Sequence, residues 1–119
     1  MKIENIKFKA LRLDNNGGLV IGDLVHSTSY VGIGYPSSVF PDVPVVHRVD
    51  PSTVCQFTGL KDKNGTPIYE GDIVTYKDNN AERRGVIVWD SKAAAFCFGQ
   101  DFLVHYPSEN MEVIGNEFD

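Results

Sequence analysis

The sequence has little cysteine, little positive charge and no long hydrophobic run, and each shortage excludes a class of protein. Two cysteines occur among the 119 residues, Cys55 and Cys97, each within a strand-like run. Two buried thiols are therefore favoured over a disulfide or a redox site. No apolar run approaches the ~18 to 20 residues that cross a bilayer, and the charged residues near the N-terminus do not match a secretory signal. We expect a cytoplasmic protein that makes no membrane contact.

Basic residues are outnumbered, which bears on nucleic-acid binding. Sixteen acidic side chains against eleven basic ones give a formal net charge of −5, whereas nucleic-acid modules usually carry a basic excess. Basic residues still cluster locally in the first twelve residues and at Lys61, Lys63, Arg83 and Arg84. A basic face that binds nucleic acid stays open as the alternative to a solvated surface.

The motifs of catalysis and metal binding are also missing. The sequence contains no Gly-x-Ser-x-Gly, His-Glu-x-x-His or Cys-x-x-Cys. The run Gly32-Ile33-Gly34 is not a dinucleotide loop, because Pro36 follows it instead of a helix. Glu70 and Asp72 flank Gly71, a spacing that favours carboxylates capping a bend over acid–base chemistry. We expect no enzymatic activity, no metal and no cofactor.

What is present is a mainly β pattern of short Val-, Ile-, Phe- and Tyr-rich runs between turn residues. Alternation predicts a strand over 6–13 and another over 19–25. The Asn15-Asn16-Gly17-Gly18 turn between them tolerates positive φ. Residues 1–26 are therefore predicted to form an N-terminal β-hairpin.

Residues 27–52 contain four of the six prolines, and three of these, Pro36, Pro41 and Pro44, alternate with Tyr30, Tyr35 and Phe40. Proline lacks an amide donor and fixes φ, so this stretch is predicted to be an extended arm or long loop and not a central strand. Long loops of this kind usually bind something. Either the arm folds back on its own core, or its aromatic residues dock into a neighbouring subunit.

Residues 53–116 are predicted to form a small SH3-like barrel, because short strands recur between turn residues. The predicted strands cover 53–58, 68–76, 85–90, 94–98 and 111–114. Both faces of the run from Gly85 to Trp89 are apolar, so its outer face needs a cover. The N-terminal hairpin and the arm packed on the barrel would supply that cover, and a partner subunit is the alternative.

The run from Thr53 to Val74 resembles the YopX family of phage and prophage proteins. The resemblance is carried by Gln-Phe-Thr-Gly-Leu-Lys-Asp-Lys-Asn-Gly from Gln56 and by Ile-Tyr-Glu-Gly-Asp-Ile-Val from Ile68. The opening strand at Ile6–Ala10, the run Gly22–Val25 and the closing Glu112–Asn116 are similar to the family as well. The Pro-rich stretch is its variable part.

The resemblance implies a single domain over 1–119, encoded by a phage or prophage, with an SH3-like barrel that self-associates in the cytoplasm of a bacterial host. It supplies no catalytic residue. Turn chemistry that determines the fold is assigned to Gly59, Asn64, Gly65, Glu70, Gly71 and Asp72. We predict a non-enzymatic interaction or assembly module whose partner is a second copy or a host or phage protein. Candidate interaction residues are Tyr30, Tyr35, Phe40, Lys61, Lys63, Arg83 and Arg84. The alternative is a small regulator that binds nucleic acid through the four basic residues of this set.

Overall fold

The structure is a computed structural model that describes residues 2–14 and 17–118. These residues form eleven β-strands and four short 3₁₀ segments, and they contain no α-helix. The strands are β1 (Phe8–Leu11), β2 (Leu19–His26), β3 (Val31–Pro36), β4 (Pro44–Arg48), β5 (Cys55–Lys61), β6 (Pro67–Tyr69), β7 (Asp72–Lys77), β8 (Glu82–Asp90), β9 (Ala95–Phe98), β10 (Asp101–Phe102) and β11 (Met111–Asn116). None of the helical segments in this part of the chain has the length and apolar character that a bilayer-spanning helix needs.

The prediction of a mainly β protein is confirmed. The strands pair antiparallel in two sheets, in the orders β4-β3-β2-β1-β5-β6 and β10-β9-β8-β7-β11. No pairing among the described strands closes either sheet into a barrel, so the closed barrel expected for the second half is not what these residues form. The chain divides into two compact units, Met1–Gln56 and Phe57–Asp119.

In the first unit, β1 and β2 form the predicted hairpin, with Phe8 opposite Gly22 and Leu11 opposite Leu19. Asn15 and Asn16 of the predicted turn lie outside the described residues, while Gly17 has the left-handed backbone the turn needs (φ +55°). The core of this unit consists of four buried apolar side chains: Ala10, Val20, Ile33 and Val49.

The prediction that residues 27–52 form an extended arm or long loop without a central strand is wrong. This stretch forms β3 and β4, and β3 lies between β2 and β4 in the sheet. Proline is tolerated because Pro36 ends β3 and Pro44 begins β4, directly opposite each other, where the missing amide removes no interior ladder bond. Gly22 of β2 also permits close approach of the strands, since a Cβ at this position would lie 2.2 Å from the carbonyl oxygen of Gly34 in β3.

In the second unit, the buried Asp62 holds the turn after β5, a role that the sequence pattern does not indicate. Asp62 accepts hydrogen bonds from the backbone amides of Asn64 (2.8 Å), Thr66 (2.9 Å) and Val113 (2.9 Å). Its carboxylate therefore ties the turn to β11. Seven buried side chains form the core of this unit: Ile68, Val74, Tyr76, Ile87, Phe98, Leu103 and Met111.

A second buried carboxylate orders the bend between β6 and β7. Asp72 is fully buried and accepts hydrogen bonds from the Tyr69 amide (2.7 Å) and from Nδ2 of Asn116 (3.0 Å). Gly71 supplies the left-handed backbone of the bend (φ +84°), and its amide donates to the carbonyl of Ile87 (2.7 Å). Glu70 is half-buried beside it.

Two other residues assigned to turn chemistry have left-handed backbone, although Gly59 lies inside β5 and not in a turn. Gly59 and Gly65 both have positive φ, +87° and +79°, a conformation that glycine adopts without strain. Asn64 lies in the turn that Asp62 organises. Cys55 and Cys97 are both buried and neither forms a disulfide, as predicted.

Candidate interaction site

The second unit carries an open apolar groove of about 440 Å³. Its apolar lining includes Leu60 of β5, Phe96 of β9, Phe102 of β10 and, after β10, Leu103, Val104 and Tyr106. Phe102 is 43% exposed and Val104 is 85% exposed. Exposed apolar area of this kind is unfavourable in water, at roughly 25 cal/mol per Å², and concentrated apolar patches are typical of interaction sites.

Local structure explains why these side chains face solvent. Gly99 has left-handed backbone (φ +62°) and turns the chain so that Phe102 pairs with Cys97. The chain then enters the 3₁₀ segment Leu103–His105, in which Leu103 is buried in the core. Burial of Leu103 leaves its two neighbours, Phe102 and Val104, on the exposed side. One anchoring residue therefore fixes the position of two exposed ones.

The Thr58 hydroxyl, one of the polar groups that line the groove, is engaged with the protein itself. The Thr58 hydroxyl donates to the carbonyl of Ile68 (2.8 Å) and accepts from the amide of Leu60 (3.1 Å). A ligand that reaches Thr58 would compete with these bonds. The groove therefore favours an apolar segment over a charged ligand.

A cluster of Arg83, Asp101 and Tyr106 fixes the wall of the groove. Arg83 Nη1 donates to the Asp101 carboxylate and to the Tyr106 hydroxyl, and that hydroxyl donates to Asp101 (2.8 Å). The guanidinium also lies over the rings of Phe98 (5.2 Å) and Tyr106 (5.1 Å). Tyr106, which lines the groove, is therefore held in place by contacts to its ring and by hydrogen bonds to its hydroxyl.

The positive charge of Arg83 and the negative charge of Asp101 compensate each other within this cluster. The hydrogen bond from Arg83 is the main cause that lowers the pKa of Asp101, and the same bond raises the pKa of Arg83. The pKa of Tyr106 is raised, chiefly because its hydroxyl donates to the Asp101 carboxylate. Arg83 thus stabilises a carboxylate of its own chain.

The apolar surface continues from the groove onto β8. Trp89 is 46% exposed and meets Phe96 edge to face, with ring centroids 5.0 Å apart. Val88 is 39% exposed on the same strand. Because neighbouring strand residues point to opposite faces, Val88 and Trp89 leave apolar area exposed on both faces of β8.

The three aromatic interaction candidates all lie in the first unit. Tyr30 is half-buried, with the Arg48 guanidinium 4.8 Å above its ring. Tyr35 is 37% exposed, and its hydroxyl lies 3.0 Å from Nε2 of His47. Phe40 is 67% exposed in the loop between β3 and β4. The structure brings Tyr35 into a polar cluster and leaves Phe40 on the surface.

The four basic candidates have different surroundings. Lys63 forms an ion pair with Glu112 (3.2 Å) and Arg83 pairs with Asp101. Lys61 and Arg84 are exposed. Two of the four charges are thus compensated within the chain.

No group of three or more histidine, cysteine, aspartate or glutamate side chains within residues 2–14 and 17–118 is placed to hold a metal ion. The Asp72 carboxylate, one of the paired acids considered above, is engaged at the bend between β6 and β7.

Sequence reasoning missed the segment that forms the groove. The predicted strands 94–98 and 111–114 both leave out Phe102, Leu103 and Val104, which lie between them. The available signal was a run of three large apolar residues directly after Asp101, without the alternation of a half-buried strand.

A comparison with protein-family models matches the chain to the YopX protein family over residues 28–119. The match includes the run from Thr53 to Val74 that carries the resemblance, and it begins after the opening strand and Gly22–Val25. A search among curated proteins finds no match. Because the family match extends over more than half of the 119 residues, the chain belongs to the YopX family.

Proposed function

We propose that the protein is a non-enzymatic interaction or assembly module that self-associates through the apolar groove of its second unit. The observation that carries the proposal is the exposure of Phe102 and Val104 beside a groove of about 440 Å³ with an apolar lining. Burying these side chains against a second copy would recover the hydrophobic free energy that the lone chain forgoes. The fixed position of Tyr106 favours recognition by a preformed surface.

Solution mass tests this proposal. The wild-type chain is expected to exceed the 13.2 kDa of a monomer in light scattering, and Val104→Asp is expected to shift it toward the monomer. Val104 is 85% exposed, so its replacement leaves the fold of the single chain intact. The matched control is Leu13→Asp, an exposed apolar residue of the first unit (64%). A monomeric wild type, or equal masses for wild type and Val104→Asp, would contradict the proposal.

Nucleic-acid binding is the second candidate. It is favoured by the exposure of Lys61 and Arg84 and weakened by the carboxylate partners of Lys63 and Arg83. A gel shift at low salt would test it, because phosphate contacts are strongest there. Retention of DNA or RNA that Lys61→Glu with Arg84→Glu abolishes would support this candidate. No shift at low salt would exclude it.

Family membership supports three finer proposals. We propose a phage or prophage origin and action in the bacterial cytoplasm, where the partner would be a second copy or a host or phage protein. We also propose an SH3-like arrangement for the second unit, on the support of its antiparallel strands and the β-bulge between Val113 and Gly115. An experimental structure of the assembled protein would test that arrangement and the partner together.

A further inference from the structure

Tyr35, His47 and Asp14 form a chain of contacts in the first unit that lies outside the groove described above. Tyr35 Oη is 3.0 Å from His47 Nε2, and His47 Nδ1 is 3.6 Å from Asp14 Oδ2. The other carboxylate oxygen of Asp14 lies 3.1 Å from Nε of Arg12. The imidazole thus lies between a phenol and a carboxylate.

The strand register produces this arrangement. His47 of β4 is opposite Ile33 of β3, and Tyr35 is two residues further along β3. The two side chains are therefore diagonal neighbours on one face, a spacing that aromatic side chains can bridge. Asp14 follows β1 and reaches the imidazole from the other side.

The negative charge of Asp14, 3.6 Å from Nδ1 and thus beyond hydrogen-bond length, favours one tautomer of His47. A carboxylate facing Nδ1 favours the proton on that nitrogen, which leaves the lone pair of Nε2 directed at the Tyr35 hydroxyl. A hydroxyl that donates to a base, with the base held by a carboxylate, is the arrangement that activates nucleophiles in proteins. We propose that Tyr35 is a nucleophilic acceptor site that takes the acyl group of an activated carboxylic ester.

The other tyrosines provide the contrast. The pKa of Tyr69 is raised mainly by burial, and the pKa values of Tyr76 and Tyr106 are raised mainly by hydrogen bonds to the carboxylates of Asp78 and Asp101. A phenol that donates to an anionic carboxylate is held in its protonated form, whereas neutral imidazole accepts the proton during attack. Tyr35 is also 37% exposed, so a reagent can reach it.

The acyl group moves from the leaving oxygen of the ester to Tyr35 Oη. Tyr35 Oη attacks the ester carbonyl carbon and forms a new C–O bond, while its proton passes to His47 Nε2. The bond from the carbonyl carbon to the leaving oxygen then breaks with its electron pair, and the imidazolium returns the proton to the leaving group or to water. Asp14 stabilises the imidazolium. The proposal concerns this single transfer and no subsequent turnover.

The test uses p-nitrophenyl acetate on the full chain, with peptide mass spectrometry to locate the acetyl group over time. We expect Tyr35 to be acetylated faster than Tyr30 by at least about tenfold, the low end of what a general base contributes. His47→Gln is expected to remove that advantage, and Asp14→Asn to reduce it. Tyr30 is the matched internal control, since its side chain is half-buried in the same unit.

Three results would overturn the proposal. The first is acetylation of Tyr35 that is no faster than acetylation of Tyr30, and the second is an unchanged rate of Tyr35 acetylation in His47→Gln. The third is a Tyr35→Phe variant that releases p-nitrophenol as fast as wild type, which would make His47 itself the nucleophile. Asp14→Asn provides a second check on the role of His47. The Asp14 carboxylate is 56% exposed, so its replacement has little effect on folding.

Discussion

Replacing Asp62 with asparagine tests how the second unit is held together. One carboxylate oxygen of Asp62 accepts from the amides of Asn64 and Thr66, and the other accepts from the amide of Val113. Asparagine keeps the size of the side chain but has only one oxygen. Either the amides of Asn64 and Thr66 or the amide of Val113 must therefore lose its acceptor. The NH₂ group of the asparagine would then face an N–H donor.

The magnitude follows from these contacts. A hydrogen bond to a charged group contributes about 1.5–3 kcal/mol, and a buried donor without an acceptor adds its desolvation cost. Asp62 is only 6% exposed, so water replaces the lost oxygen poorly. We expect Asp62→Asn to lower the free energy of unfolding by about 2–3 kcal/mol. Urea denaturation followed by Trp89 fluorescence measures this difference, provided that the slope with denaturant stays constant.

Asp90→Asn is the matched control within the same unit. Asp90 accepts from the amides of Lys92 (2.9 Å) and Ala93 (3.2 Å) through a single oxygen, in an exposed turn. An asparagine retains that acceptor, so we expect a change below about 0.5 kcal/mol, as for most surface substitutions. If Asp62→Asn were as mild as Asp90→Asn, the carboxylate would not hold the turn to β11 and the reasoning would fail.

The same residue predicts a pH dependence. Burial alone raises the pKa of Asp62, but the hydrogen bonds from the amides of Val113, Thr66 and Asn64 outweigh it, so the pKa lies below its ordinary value. The ionised form is therefore stabilised by folding, and its contribution is present above the unfolded pKa of about 3.9 and lost as the pH falls through the folded value. The stability gap between wild type and Asp62→Asn should narrow below about pH 4. A gap that stays constant down to pH 2.5 would contradict this assignment.

Two further predictions concern the first unit and the thiols. Gly22→Ala places a Cβ 2.2 Å from the Gly34 carbonyl oxygen and should cost about 1–3 kcal/mol by thermal unfolding. Gly18→Ala, with nothing within 4 Å of the added Cβ, should be close to neutral, and equal losses would refute the steric argument. Cys55 and Cys97, 1% and 5% exposed, should react with a thiol reagent at least about tenfold more slowly in the folded than in the denatured protein. Rapid labelling of the native protein would contradict their burial.

The strands of the second unit were predictable because their signals are local. Alternation and turn residues place a strand at 94–98, and the structure has β9 at Ala95–Phe98. The left-handed glycines Gly17, Gly65 and Gly71 also fall in predicted turns, whereas no turn was predicted at Gly99. Each of these features depends on residues a few positions apart, which is the range over which sequence patterns are informative.

Features that depend on distant partners could not be predicted. Asp62 is read from sequence as one more turn residue, and its contact with Val113 connects positions 51 residues apart. The strands β3 and β4 were missed because proline argues against an interior strand. Its placement at the strand ends, and the approach of Gly34 to Gly22, become visible only once the pairing is known. The groove is likewise assembled from β5, β9 and the segment after β10.

A protein partner would contact the exposed apolar side chains of the groove, whereas a nucleic acid would contact the basic side chains. Among the predicted basic residues, Arg83 and Lys63 already have carboxylate partners, so an approaching phosphate would have to compete with them. The apolar side chains at the groove have no such internal compensation, since Phe102 and Val104 remain exposed while Leu103 between them is buried. Because two of the four candidate basic side chains are paired while the apolar side chains of the groove are exposed, we expect an apolar partner surface to supply more binding free energy than a polyanion. This balance is the physical reason for placing protein association ahead of nucleic-acid binding.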